Sequence, residues 1–361
     1  MLARSVPRTS ARSLLIALMA LNGITVSTLY WAQSIATRAV LELGPSLSVR
    51  LMPSATLTGY AVGVALLAWM ARDLTSPNGL GLHALLLGVG LGIVAVAPAA
   101  PVVALACLLI GIGCSLTQRM LACATSVVPA EERAQVIGGI IASGLFGIVV
   151  ARAGVPAASA ALGWRTMFII DASIVCLCGV IAALLAQRAE ARADWTPTPA
   201  PLPSAWLLWR REKVLRRAAL QQAGVFAAFN LGWAIFPHAL AAGGSSMTIP
   251  MMGSVATLGA VAALIAGRAC GHWNAADVAR GGGCAVLLAG LLSLMAGGLG
   301  TAVYAVMALL DVGTQVSLVA NQAQAQAAAT SPAMRGRMAA IVTTVGFSAG
   351  ALGAAIGNAV F

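Results

Sequence analysis

Charge is scarce in this chain: 9% of its 361 residues are charged, against roughly 25% in a soluble globular domain. Aromatic residues make up 5%, histidines number three, and the single lysine is Lys213. Each scarcity removes a class of protein. So few charges cannot clothe a soluble enzyme in polar surface, and with 60% hydrophobic residues the chain is not a disordered one. Strands that alternate polar and apolar residues are missing, which excludes an outer-membrane barrel. Lys213 has no Gly-rich Lys-Ser or Lys-Thr context, so ATP hydrolysis within the chain lacks its phosphate cradle. His83, His238 and His272 are scattered and form no His-Glu-x-x-His pair, so metal-dependent hydrolysis lacks its ligands. A channel would show a repeated filter or ring-forming loop, and none is visible. The cysteines, Cys107, Cys114, Cys123, Cys176, Cys178, Cys270 and Cys284, are odd in number and lie mostly inside apolar runs. They read as small buried hydrophobes, without disulfide framework or metal site.

What the chain has is length of apolar run. Mean hydropathy is +0.93, and a bilayer-crossing helix needs about 20 apolar residues. Breaks rich in Pro, Gly or charge divide the sequence into predicted spans at 13–36, 52–71, 79–99, 101–126, 135–162, 166–187, 216–241, 248–268, 281–299, 301–326 and 338–361. The first run follows Arg4, Arg8 and Arg12, but from Leu14 to Ala36 it is too long for a signal peptide's apolar core. The expected class is therefore an all-α integral membrane protein with eleven spans.

The charges that remain set an orientation. Of the 21 basic residues, 17 fall on one side if the N-terminus is cytoplasmic, and only Arg38, Arg50, Arg152 and Arg165 fall elsewhere. The net charge of +11 is thus read as orientation rather than as nucleic-acid binding. The longest polar stretch, 188–217, carries Pro197, Pro199, Pro201 and Pro203, then Trp209-Arg210-Arg211-Glu212-Lys213. It reads as a semi-rigid cytoplasmic connector, with Trp206, Trp209 and the basic residues suited to a short helix at headgroup level. It separates a six-helix bundle, 1–187, from a second bundle, 218–361, in which five helices are visible.

The two parts share a pattern. Pro129 and Pro332 follow the fourth and tenth spans at an offset of 203 residues, and at that offset Ser143, Gly147 and Ala151 fall on Gly346, Gly350 and Ala354. With Gly139 these form stripes of small residues every fourth position, which let membrane helices approach closely. Several segments carry a resemblance: Pro129-Ala-Glu-Glu-Arg133 through Ser143-Gly144, Gly147 to Arg152, Gly163-Trp164-Arg165, Leu310-Asp311-Val-Gly313-Thr-Gln315, Asn321-Gln322, and Pro332 to Arg337 leading into Gly350. Asn22 to Gln33 and Gly59-Tyr60 fit the same pattern. The chain resembles the major facilitator superfamily (MFS) of secondary transporters, and within it the arabinose-efflux-permease-like branch of sugar, nucleoside and drug exporters. Three features depart from the family. The loop after the second span reads Ala71-Arg72-Asp73-Leu-Thr-Ser-Pro77, with the acidic–basic order reversed and no basic cluster. The fifth span lacks the Gly-Pro pair of drug antiporters. Eleven spans are counted where the family has twelve, so a truncated, non-transporting membrane remnant is one alternative reading, and a multidrug efflux antiporter the other.

Polar groups inside the spans are the candidate functional residues, because a charge at the bilayer centre costs roughly 2.5–3.5 kcal/mol on insertion scales. Asp311 falls near mid-depth in the tenth span. A carboxyl group stripped of water there has proton loading as its natural chemistry. Arg152 in the fifth span and Asp171 in the sixth lie at similar depth, so a buried Arg152–Asp171 pair is expected, with Arg152–Asp311 as its competitor. Candidates for the solute cavity are Asn22, Tyr30, Gln33, Gln118, Asn230, Trp233, Gln315 and Asn321, whose amides, phenol and indole suit hydroxyl-rich or heterocyclic ligands. His238 is a further protonation candidate. The resemblance implies gating loops at Arg72 and Asp73 and at Arg268, Asp277 and Arg280. It also implies export of a small organic solute against inward proton flow, by a monomer in a bacterial-type inner membrane. The expected partners are the lipid bilayer and a small-molecule substrate, with no nucleic acid; no cofactor is expected, the proton gradient being the energy source.

Overall fold

The structure is a computed structural model and describes residues 8–70, 74–128, 133–190, 203–242, 249–294, 302–330 and 332–360. The regular elements among the described residues are all helices. The first crossing is divided into α1 (Arg8–Leu29) and α2 (Trp31–Leu43), and a short turn, α3 (Leu47–Arg50), leads to α4 (Met52–Met70) and α5 (Pro77–Val96). The fourth crossing is α6 (Ala100–Cys114) with α7 (Leu116–Ser126). The fifth is α8 (Arg133–Val149), a π-helical turn (Val150–Gly154) and α9 (Val155–Leu162); α10 (Trp164–Glu190) is the sixth. After the connector come α11 (Ala205–Arg211), α12 (Lys213–Ala242), α13 (Ile249–His272), α14 (Ala275–Leu294), α15 (Val303–Ala327) and α16 (Pro332–Val360).

Among the described residues eight helical stretches are long and apolar enough to cross a bilayer, Met52–Ala68 is a shorter one, and α12 and α13 add 30 and 24 helical residues. Their outer faces are apolar: Ile169, Ile170, Ile174, Leu177, Val180, Ile181 and Leu184 run exposed along α10, at the spacing of one helix face. Such a surface is untenable in water and ordinary in lipid. The chain is an all-α, multi-pass membrane protein.

One predicted span is displaced. The ninth, expected over 281–299, begins at Ala275, because the Asn274 side chain accepts the Ala276 N–H at 2.9 Å and starts the helix early. Asp277 and Arg280, expected in a loop, therefore stand in the first turns of α14, paired with each other and exposed. Arg268 is exposed in the last turns of α13. Arg72 and Asp73 lie outside the described residues, as do Pro129, Pro197, Pro199 and Pro201. The short helix expected near Trp206 is α11, capped by the Ser204 hydroxyl. It buries Leu208 against the ends of α15 and α16 and leaves Trp206 exposed. Its face of the molecule is called proximal below, and the opposite one distal.

Three crossings of the first bundle are interrupted, each for a local reason. Thr25 and Thr28 bond back to the carbonyls of Leu21 and Ile24, a habit that bends helices, and the Tyr30 N–H closes a tight turn on Ser27 at 3.0 Å. Ser115 bonds the Ile112 carbonyl in the same way. In the fifth crossing Pro156 has no N–H and crowds the carbonyl four residues back, that of Arg152. The helix widens there, and the Val155 N–H reaches the Val150 carbonyl. Arg152 thus sits in a π turn, a rarity concentrated at functional places.

The small-residue stripes are seams. A Cβ on Gly147 would collide with the carbonyl of Gly23, and Cβ atoms on Gly346 and Gly350 would press on the Gln222 and Asn230 side chains of α12. So α8 packs tightly on α1 and α16 on α12, the same arrangement in both bundles. Between the bundles α4 lies against α16, and α8 with its π turn lies against α13. At the distal rim Gly163 turns at φ +80°, which only glycine adopts without strain. Glu42 there accepts from the Trp164 indole at 2.5 Å and from Arg165 Nε at 2.7 Å. The Arg165 hydrogen bond holds the Glu42 carboxyl below the usual carboxylate range.

Candidate functional site

The two bundles are joined by a charge. Arg152 Nη1 of the fifth crossing donates to Asp311 Oδ1 of α15 at 3.2 Å, and the two side chains are 3% and 2% exposed. The guanidinium lies 3.7 Å from the centre of the Trp233 ring, 5.4 Å from Phe229 and 5.5 Å from Tyr30. Cation–π attraction of this kind grows as water is removed. Two of the rings and the carboxylate belong to the second bundle; Arg152 and Tyr30 belong to the first. Arg152 is ten residues from the distal end of α9, about 15 Å at 1.5 Å per residue. Asp311 is eight residues from the distal end of α15, about 12 Å.

The expected Arg152–Asp171 pair is not formed. Asp171 is 4% exposed, yet it is enclosed inside the first bundle, where Thr28 Oγ1 bonds its Oδ2 at 2.7 Å. Similar depth on adjacent helices did not decide the partner; the direction each residue faces did. The π turn aims Arg152 across the interface, while α10 aims Asp171 inward at α1.

The other candidates divide between that interface and the bundle interiors. Gln33 Nε2 reaches Asn230 Oδ1 across the interface at 3.5 Å, and Asn230 also donates to the Phe226 carbonyl at 2.9 Å. Gln315 is buried one turn beyond Asp311, beside Gly259. Gln118 donates to the Tyr60 hydroxyl at 3.5 Å, and the Tyr60 ring meets Phe347 of α16 at 4.4 Å. Asn22 belongs to the α1–α8 seam, donating to the Ile140 carbonyl at 2.8 Å and to Ser143 at 3.1 Å. Asn321 donates to Gln222 at 3.0 Å inside the second bundle. The side chain of His238 is outside the described set.

Sequence reasoning passed over Phe229 and Gly259. Phe229 stands four residues, one helical turn, before Trp233, a spacing that could have drawn attention to it. Gly259 carried no signal: a Cβ there would collide with Asp311 Oδ2, so α13 must have glycine at that point for the carboxylate to fit. One pattern is coincidental. Gly346-Phe-Ser348-Ala-Gly350 spells the nucleophile-elbow motif, but it lies mid-helix in α16 with Ser348 exposed, without the strand–turn–helix context the motif needs.

An all-α body of two like bundles, with an ion pair between them, has the architecture of a carrier-type membrane protein. The chain matches the Major Facilitator Superfamily over residues 13–354 and belongs to that family. It is 30% identical over 237 residues to the probable transporter SCO4007 of Streptomyces coelicolor, covering 64% of this chain and 54% of that one. It is 26% identical over 232 residues to the putative uncharacterized transporter YgaY of Escherichia coli K12, covering 63% and 58%. The matches thus span little more than half the length of these relatives. Among solved structures, a bacterial homologue of the human lysosomal transporter Spinster, inward-facing and unoccupied, superposes with a TM-score of 0.68 at 16% identity, over 96% of this chain and 82% of that one. The Escherichia coli fucose:proton symporter FucP gives 0.60 at 16% identity, over 99% and 97%. These likenesses define the fold.

Proposed function

We propose that this protein is a secondary carrier that exports a small organic solute by alternating access, with proton uptake at Asp311 as the coupling step. The observation that carries the reading is the Arg152–Asp311 bridge, buried between the bundles on the distal side of mid-depth. A carrier must close one side of its cavity while the other opens, and a buried ion pair between two movable bundles is suited to hold such a closure. Protonating Asp311 removes the attraction, and Arg152, which keeps its charge at all relevant pH, is then free to leave. Gln33–Asn230 adds a polar contact between the bundles, and Tyr60–Phe347 an aromatic one near mid-depth. The charge distribution supports a cytoplasmic N-terminus, which makes the distal face the periplasmic one in a bacterial inner membrane. Family membership and relatives named as transporters support transport as such.

The test is counterflow and efflux in proteoliposomes, screening sugars, nucleosides, dyes and organic acids under an imposed pH gradient. Wild type is expected to show saturable exchange that the gradient accelerates, and Asp311→Asn to lose the acceleration. Exchange in wild type that ignores the gradient would remove the coupling; absence of any exchange across the panel would remove the carrier reading.

A further inference from the structure

The bridge joins a positive group that cannot be discharged to a negative group that can. Arg152 stays protonated, while Asp311 becomes neutral by taking a proton. The net charge of the contact is therefore zero with Asp311 ionised and +1 once it is protonated. A cation enclosed by rings and apolar helix cannot be left without a counter-ion. The charge that restores neutrality is a single negative one. An organic cation fails the same count, since it would set two permanent positive charges against one carboxylate.

The hydrogen-bond inventory agrees independently. Among the described residues, Arg152 Nε and Trp233 Nε1 are both buried donors with no acceptor. Arg152 Nη1 is taken by Asp311 Oδ1, whose companion oxygen faces the notch left by Gly259. The site thus has donors to spare, and buried donors call for a ligand that brings acceptors. Tyr30, Phe229 and Trp233 wall it with rings, which suits an apolar or planar body.

The geometry points to a small organic monoanion as cargo, its carboxylate received by Arg152 Nε and Trp233 Nε1 while Asp311 takes up a proton, so that solute and proton load together. This rests on the carrier reading and specifies its solute; because solute and proton then cross in the same direction, it replaces exchange against inward proton flow with co-transport, and export follows an outward solute gradient. The Nη1–H···Oδ1 bridge breaks, an O–H bond forms on Asp311 with a proton from the aqueous phase, and Arg152 keeps all its protons. One negative and one positive charge are added, so the loaded site is as neutral as the empty one. Among the described residues, Arg152 is the charged group that acts on Asp311, and Tyr30 is a titratable neighbour that senses both. Of the helices packed on α15, α13 brings Gly259 and α12 brings Trp233 and Phe229, none of them titratable. His238 stands nearer the distal end of α12. The charges of α14 and α16, at Asp277, Arg280, Arg335 and Arg337, lie at the proximal face, and Cys284 of α14 is exposed.

The experiment is calorimetric titration of the purified full chain in lipid nanodiscs with formate, acetate, lactate and benzoate, and with benzamide and benzylamine as neutral and cationic counterparts of benzoate. At least one carboxylate is expected to bind with uptake of about one proton, tightening about tenfold per unit fall in pH while Asp311 starts ionised. Neither benzamide nor benzylamine is expected to match benzoate. Trp233→Phe keeps the ring and the fold but removes one donor, and is expected to weaken carboxylate binding about fivefold. Arg152→Gln should abolish it, and Asp311→Asn should flatten its pH dependence. Binding by benzamide or benzylamine in preference to every carboxylate, carboxylate binding without proton uptake, or no carboxylate binding at all would overturn the assignment. Carboxylate binding without counterflow in proteoliposomes would support the anion site and remove the carrier reading; counterflow of a neutral solute with no carboxylate binding would do the reverse.

Discussion

Two buried aspartates invite comparison. Asp171 and Asp311 lie at similar depth, and both are almost fully enclosed, at 4% and 2% exposure. Asp311 faces an arginine that belongs to the other bundle. Asp171 faces a threonine inside its own bundle, and among the described residues no cation bonds it. An acid whose partner moves with a different rigid body senses the arrangement of the bundles, while an acid bonded within one body does not. Burial alone marks neither as functional; the location of the partner separates them.

The largest effect is expected from breaking the bridge by halves. Asp311→Ala or Arg152→Ala leaves one buried charge unpaired, which costs about 3–5 kcal/mol. Thermal unfolding in detergent should show the loss, and transport should vanish. The double change Arg152→Met with Asp311→Leu should recover most of the stability and none of the transport. If either single change left both stability and transport intact, the contrast between the two acids would fail.

Gly259→Ala approaches the same bridge without removing a charge. Its Cβ would press on Asp311 Oδ2, and overpacking of this kind costs about 1–3 kcal/mol. Reduced solute flux with a smaller loss of thermal stability than Asp311→Ala is expected. On the other side of the comparison, Thr28→Val removes the hydroxyl that bonds Asp171 and should cost about 1–2 kcal/mol. Transport per folded molecule should persist, since Thr28 and Asp171 move together; a flux defect as deep as that of Gly259→Ala would erase the distinction.

The smallest effect belongs to the rim. The Glu42 carboxyl is held below its ordinary range by Arg165, so its stabilisation is fully present above the usual carboxylate range and is lost as pH falls through the lowered one. The pair is half exposed, which limits its worth to under about 1 kcal/mol. Unfolding followed as a function of pH should show a slight acid-side weakening that Glu42→Gln abolishes.

Much of the architecture could be read from composition. Apolar runs of bilayer length give the helices, because the backbone of a lipid-exposed segment must satisfy its own hydrogen bonds. The 203-residue offset gives the seams, because matching stripes of small residues let α8 approach α1 and α16 approach α12 closely. The start of α14 could not be read this way, since a single side chain at Asn274 sets it and hydropathy averages over many residues. The Arg152 partner was open for a related reason. Depth along a helix follows from counting residues, but azimuth does not survive a kink, and Pro156 shifts the register where Arg152 stands.

Sequence by itself determined that the chain lives in lipid, that it folds as two similar helix bundles, and that Arg152, Asp171 and Asp311 are charges set well inside its spans. These are one-dimensional properties, fixed by run length, repeat offset and the scarcity of charge. Only the tertiary structure decided that Asp311 takes Arg152 across the interface, that Asp171 stays within its own bundle, and that Gly259 and Phe229 share the site. Those outcomes depend on which faces of separate helices meet, and the meeting is set by packing of the whole rather than by any segment alone.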